Sequence, residues 1–308
     1  MRIMVAGGGA FGREHLRALD GIGGLTLSLA ELRDDRRAAA VRDFGLADSD
    51  ADALALLARF RPSGVIVATP VSAHDGLARA ALALDIPVLV EKPVVTDAAG
   101  MERLCAAEAA SRTFLQPGHI LRFSAPHRAL REILMSGEIG RLISFSSRRY
   151  RDVGHARQFR DVDPVLMTMI HDIDLALWFD PSARQSVSVE RRMSNDGGSL
   201  TFARITGPGD TIWDLRSAWL HPGADLPPDR VEIIGTAGSA EWEAGRGFSV
   251  HAAEMRHLTV PEGDPLVAEL TCFLARIAGS SVDVPVNSAD ALAGLRVAGM
   301  VIVALERA

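Results

Sequence analysis

The chain has 308 residues and a formal net charge of −6, from 33 lysine and arginine residues against 39 aspartate and glutamate residues. At about 150 residues per domain this predicts two domains with sizeable cores. Its 48% hydrophobic and 23% charged content excludes the composition of disordered chains, and the acidic balance excludes nucleic acid as the main partner. Cys105 and Cys272 are too far apart in sequence for a CxxC metal or redox motif and too few for a disulfide framework. No metal site is expected. The start, Met1-Arg2-Ile3-Met4-Val5-Ala6, lacks a basic leader region, and no run of about 18 apolar residues is apparent. These features predict a cytoplasmic protein with no membrane partner.

Ile3-Met4-Val5-Ala6 reads as a short strand that runs into Gly7-Gly8-Gly9-Ala10-Phe11-Gly12 and then a helix over residues 13–19. Gly7, Gly9 and Gly12 match G-x-G-x-x-G. The first allows a tight turn, the second lets backbone approach a pyrophosphate, and the third permits close helix packing. The helix N-terminus, with Ala10 and Phe11, would supply N–H groups to the phosphates. An alternating strand over residues 25–30 ends at Glu31, where a carboxylate can accept both ribose hydroxyls and so favours NAD. Arg33 leaves the NADP reading open, since a guanidinium there can meet a 2′-phosphate instead.

Helices are predicted over residues 35–44 and 51–60, then a buried strand over 64–68 closed by Thr69-Pro70. A helix over 74–84, a strand over 88–90, Glu91-Lys92-Pro93 and a helix over 97–111 follow. This alternation predicts a doubly wound parallel α/β sheet, with ligand bound beyond the strand carboxyl ends. Gly9, Glu31, Thr69 and Lys92 all fall at such ends. The pattern changes near Gln116-Pro117-Gly118. Beyond it, strand-like segments at residues 142–150, 186–192, 200–205, 211–218 and 231–234 are consistent with a meander.

A G-x-G-x-x-G turn followed by a strand ending in Glu91-Lys92-Pro93 resembles the glucose-fructose oxidoreductase/inositol dehydrogenase (Gfo/Idh/MocA) family. Ala68-Thr69-Pro70 with His74, Gly137-Glu138-Ile139-Gly140-Arg141, His171-Asp172-Ile173-Asp174-Leu175, Gly235-Thr236-Ala237-Gly238-Ser239 and Val284-Pro285-Val286 extend the resemblance in order along the chain. It implies a dinucleotide-binding domain over residues 1–120. It also implies an α+β substrate domain over 121–308 with an open, largely antiparallel sheet that serves as the oligomer interface of a homodimer or homotetramer. The last helix would pack back on the first domain. The implied activity is NAD(P)-dependent oxidation or reduction of a sugar, cyclitol or sugar nucleotide. Thr69, Pro70, His74, Glu91 and Lys92 would face the cofactor, and His119, Arg122, Met167, Thr168 and His171 the substrate.

Hydride transfer from an alcohol needs a base at the hydroxyl, and the reverse needs an acid in the same place. Lys92, at a strand end, carries the proton-transfer role by the resemblance; pairing with Glu91 is the bland alternative. A helix over 164–179 would carry His171, with Asp174 one turn on to orient its ring, unless the histidine is satisfied inside an interface. The family's usual acid four residues before this histidine is Met167 here. Either Lys92 and His171 suffice, or Asp163, Asp172 or another acid replaces it, although Asp163 equally suits a helix cap. The missing acid also leaves open the reduction of another carbonyl or imine, or a dinucleotide sensor without catalysis. Arg148, Arg149, Arg151, His155, Arg157 and Arg160 form a basic stretch that either grips an anionic substrate group or is solvated. Trp213 and Trp219 read as sheet packing.

Overall fold

Four consecutive buried residues, Ile3 to Ala6, make β1 (Arg2–Ala6) a strand covered on both faces. The computed structural model describes residues 1–182, 184–207, 211–223, 225–260 and 263–307. They fall into two units, Met1–Phe123 with Gly263–Leu292, and Ser124–Glu262 with Ala293–Ala308.

In the first unit β1 is followed by α1 (Ala10–Ile22), β2 (Thr26–Ala30), α2 (Asp34–Phe44), β3 (Asp48–Asp50), α3 (Ala53–Phe60) and β4 (Gly64–Val67). Then come α4 (His74–Ala83), β5 (Val88–Glu91), α5 (Ala98–Ala110) and β6 (Leu115–Gly118). The strands are all parallel in the order β3-β2-β1-β4-β5-β6, the doubly wound sheet expected from the alternation. The order reverses between β1 and β4, which puts the crevice of such a sheet beyond their carboxyl ends. Two edge strands escaped the sequence pattern. β3 is Asp-Ser-Asp, with no apolar signal, and β6 contains Pro117, tolerated because an edge strand has one side free of ladder bonds. The core joins Ile3, Val5, Leu16, Leu19, Leu29, Ile66 and Leu89 to Leu270 and Phe273 of a helix late in the chain, Pro265–Ile277.

The second unit opens with α6 (Ala125–Met135), β7 (Leu142–Asp152) and α7 (Val153–Gln158). The segment read as one helix is divided into a π-helical turn, Val165–Met169, and α8 (Ile170–Phe179). Strands β8 (Ser186–Met193), β9 (Ser199–Thr206), β10 (Ile212–His221), β11 (Arg230–Gly235), β12 (Ser239–Glu243), β13 (Gly247–His251) and β14 (Met255–Leu258) follow. The sheet order is β14-β13-β12-β11-β7-β10-β9-β8, antiparallel except for β7 with β10. Phe145, Ala203, Trp213, Leu215, Val231 and Ile233 are buried on one face. Ser146, Arg148, Phe202, Arg204, Asp214 and Arg216 line an open trough on the other.

Two of the quoted motifs meet at the start of this sheet. Thr236 N–H donates to the Arg141 carbonyl at 3.0 Å and Ala237 N–H to the Ile139 carbonyl at 2.9 Å. Gly140 has φ +73°, and a Cβ there would stand 2.2 Å from Thr236 Oγ1, so only glycine fits.

The helix Pro265–Ile277, α9, belongs to the first unit, and α10 (Ser288–Glu306) begins there and continues in the second. By length and composition α10, with mean hydropathy 1.7, is long and apolar enough to cross a membrane. Asp290 and Arg296 interrupt its apolar residues, so there is no unbroken run of 18, in keeping with the sequence reading, but they do not lower the average enough to fail that test. Of its apolar window 33% is buried, including Ala291, Leu295, Val297, Ala298 and Val301.

Candidate functional site

The glycine turn is built by close approach. A Cβ at Gly7, whose φ is +104°, would lie 2.4 Å from the Ala68 carbonyl oxygen at the end of β4, and one at Gly12 would lie 1.9 Å from the Gly7 carbonyl oxygen. Gly9 differs, because its Cβ would enter open space, with only the Arg36 guanidinium at 4.0 Å. Gly9 is also the N-cap of α1, without a side-chain cap bond and without an acidic residue in the first turn. The positive helix end with Ala10 and Phe11 therefore faces a space of the kind a pyrophosphate fills. The Glu31 carboxylate sits against the same turn, accepting Gly8 N–H at 2.6 Å and Arg33 N–H at 2.8 Å. Each oxygen keeps acceptor capacity for a ribose hydroxyl. These residues fit a dinucleotide.

The Arg33 guanidinium turns away to Asp35, at 3.1 and 2.8 Å, which leaves Arg36 as the cation beside Gly9. The sequence reading missed Arg36, since nothing in the local pattern told it from Arg37, which is bound to the Glu31 carbonyl at 2.6 Å.

Thr69 and the exposed Pro70 follow β4. The Thr69 carbonyl faces His74 Nε2 at 2.8 Å, and His74 Nδ1 faces the carbonyls of Pro93 and Val94 at 3.1 and 3.2 Å. His74 is buried and joins two loops. Glu91 is buried as well, and its Oε1 lies 2.7 Å from His15 Nε2. Lys92 itself is half-buried at the end of β5, before a cis bond to Pro93. It is the only lysine among the 33 lysine and arginine residues of the chain. An arginine keeps its proton at any accessible pH, whereas an ammonium can give one up.

His119 is buried directly after β6. Arg122, expected at the substrate, is 2% exposed, donates to the Pro285 carbonyl at 2.7 Å and pairs with Asp290 at 3.3 Å. It fastens the segment ahead of α10 inside the first unit.

In the second unit His171 is half-buried on α8, with Asp174 buried one turn on. Thr168, expected at the substrate, is buried beneath β10 and accepts the Trp219 Nε1–H at 3.0 Å. Both Trp213 and Trp219 are buried in the sheet. Met167 is half-buried in the π-helical turn. Neither acid offered as its replacement is available. Asp172 is buried against Arg149 Nε at 2.9 and 3.0 Å, and burial lifts it to about 6 although the Arg149 charge opposes this. Asp163 is held by Arg191; partial burial raises its pKa, but the Arg191 and Val165 hydrogen bonds outweigh this and keep it below the usual carboxylate range. Three arginines of the basic stretch are likewise spent internally, Arg148 on Glu243 at 2.9 Å, Arg149 on Asp229 at 3.0 Å and Arg151 on Asp229 at 3.2 Å. Arg157 and Arg160 are exposed.

Residues 1–119 match the family model described as the GFO/IDH/MocA oxidoreductase family, NAD-binding Rossmann fold, and residues 127–241 match the GFO/IDH/MocA C-terminal domain. The chain is 32% identical over 204 residues to inositol 2-dehydrogenase of Leifsonia xyli subsp. xyli, a stretch covering 64% of this chain and 58% of that enzyme. It is 29% identical over 250 residues to inositol 2-dehydrogenase of Acidothermus cellulolyticus, covering 78% and 72%. The first match thus spans less than two thirds of that relative's length. In fold the chain is similar to UDP-N-acetylglucosamine 3-dehydrogenase of Acidithiobacillus ferrooxidans, with TM-score 0.86, 24% identity and 100% and 98% of the two chains covered. The scyllo-inositol dehydrogenase of Lactobacillus casei gives TM-score 0.86 at 19% identity, covering 100% and 97%.

Proposed function

Because the chain belongs to the Gfo/Idh/MocA oxidoreductase family, we propose that it is a dehydrogenase or reductase working on a hydroxyl or carbonyl carbon of a sugar, cyclitol or sugar nucleotide. Bound NAD, or NADP, supplies the hydride chemistry, and the protein positions the groups and moves the proton. The first turn of α1, with Gly9 lacking a side chain, holds the pyrophosphate. Glu31 accepts the ribose hydroxyls, and its charge disfavours a 2′-phosphate, so NAD is the preferred form. Arg36 supplies positive charge beside the phosphates. Lys92 donates a hydrogen bond to the reacting oxygen and takes up or releases its proton. His171 serves the same proton transfer.

The observation that carries this reading is the single lysine of the chain standing at the end of β5, on the same carboxyl edge of the parallel sheet as the turn that suits a dinucleotide. The inositol 2-dehydrogenases among its relatives favour a cyclitol or related polyol. The test is NADH formation from NAD with a panel of polyols, sugars and sugar nucleotides, each run beside Lys92→Ala. Turnover that disappears in the variant is the expected result. Turnover that survives it removes Lys92 from the chemistry.

A second reading, reduction of a different carbonyl or imine, draws on Met167 and on the commitment of Thr168 to Trp219, which leave fewer groups for a polyol. A silent panel with intact NADH binding would favour that reading or a dinucleotide sensor. The partner proposed besides the small molecule is a second copy of the chain, seated on the open sheet face around Phe202 and Arg216, and the proposed location is the cytoplasm.

A further inference from the structure

Two buried histidines bracket the segment that carries Lys92. On one side His15 of α1, fully buried, places Nε2 2.7 Å from Glu91 Oε1, and the other Glu91 oxygen accepts the backbone N–H of Lys92 at 3.2 Å. That is the last amide donor before Pro93, which has none. On the other side His74 meets the carbonyls of Pro93 and Val94. The neighbouring strand leaves room for this arrangement, since a Cβ at Gly118 would lie 3.2 Å from the Glu91 carboxyl carbon.

Stability alone does not account for the cluster. His15 lies beside Leu16 and Leu19 on the buried face of α1, and Glu269, on α9, is fully buried beside Leu270 and Phe273. Burial, and secondarily the nearby Glu91 charge, push the Glu269 carboxyl well above the ordinary range. Neither of its oxygens has a hydrogen-bond partner among the described residues. Apolar side chains of similar volume would fill such positions without the desolvation cost. What they would not do is hold a carboxylate against the Lys92 amide.

We propose that His15 and Glu91 are positioning residues for Lys92, fixing the backbone from which its ammonium projects, with His74 as the second clamp on the same segment. The role differs from the cofactor contacts that the resemblance implies for Glu91 and His74. It rests on the reading of Lys92 as the proton-transfer residue, and it has a readout independent of turnover.

Because the chain has one lysine, protein labelled with carbon-13 at the lysine Cε gives a single side-chain NMR signal that reports Lys92 alone. The signal is titrated in the parent, His15→Leu, His15→Gln and Glu91→Gln, and NADH affinity and kcat are measured on the same samples. In His15→Leu the titration midpoint is expected to move by about half a pH unit or more, and kcat to fall about 10- to 100-fold, with NADH affinity within about twofold of the parent. His15→Gln, which keeps an N–H donor, is expected to recover both to within about threefold. Should His15→Leu fail to fold, Glu91→Gln, nearly isosteric, carries the same comparison. A Lys92 signal and kcat that coincide with the parent in the variant that folds, whatever its melting temperature, overturn the proposal. Activity that survives Lys92→Ala overturns instead the catalytic reading on which it rests.

Discussion

Arg191 holds Asp163 through two hydrogen bonds of 2.8 Å, and the same carboxylate accepts the Val165 N–H at 2.7 Å. Asp163 is therefore the cap of the π-helical turn that contains Met167, and a charge-paired cap is not free to swing toward a substrate. With Asp172 bound to Arg149, the acid missing at Met167 is not replaced by either aspartate near it in sequence.

Met167→Asp tests that consequence. An acid on the face it shares with His171 adds an acceptor for substrate hydroxyls and should raise kcat/KM on polyols about tenfold or more. A fall in kcat/KM would show that the thioether shapes an apolar pocket, and would favour the carbonyl or imine reading.

Glu31→Ala should weaken NADH binding about tenfold or more, through loss of charge-assisted hydrogen bonds to the ribose. NADPH should bind as well as before or better, because the variant lacks the charge that repels a 2′-phosphate. Fluorescence titration of the two cofactors checks both arms, and unchanged NADH affinity would sink the ribose assignment.

Arg149→Met strands Asp172, which is 1% exposed, without its main partner. Removing one member of a buried ion pair costs about 3–5 kcal/mol, readable by urea unfolding of the purified protein. A loss below about 1 kcal/mol would mean that the second unit relaxes to hydrate the acid.

Thr168→Val removes the acceptor of the Trp219 Nε1–H at nearly constant volume. It should cost about 1–3 kcal/mol in stability through an unsatisfied buried donor. KM for substrate should hold within about twofold, the change expected of a residue outside the binding surface. A large rise in KM with unchanged stability would return Thr168 to the substrate.

Glu269→Gln should reveal a stability difference that depends on pH. The folded-state pKa of Glu269 lies above its ordinary value, so its contribution is complete below the ordinary carboxylate pKa and is lost as pH rises toward the folded value. The glutamine variant has no such loss. Its stability relative to the parent should be lowest near pH 4 and should climb with pH by up to about 1.4 kcal/mol per unit. A difference independent of pH in melting curves would show that Glu269 is not buried as an acid.

Much of the first unit was legible because local patterns dictate it. Buried strands alternating with amphipathic helices, and glycines at positions where a Cβ would strike Ala68 or the Gly7 carbonyl, admit few other folds. Glu31 and Lys92 could be placed because each ends a strand of a parallel sheet. β3 and β6 could not, since an edge strand need not be apolar on both faces.

The sequence by itself determined the residue types at the glycine turn and strand ends, the departure at Met167 and the uniqueness of Lys92. Only the tertiary structure decided which polar groups are spent. Arg122 on Pro285, Thr168 on Trp219, Asp163 on Arg191 and Glu91 on His15 are all pairings between residues well separated along the chain. A buried donor or acceptor must find a partner, and which partner it meets is set by packing between elements and not by spacing along one of them. A motif can name the candidates for a site, while the long-range partners decide which of them remain free to act.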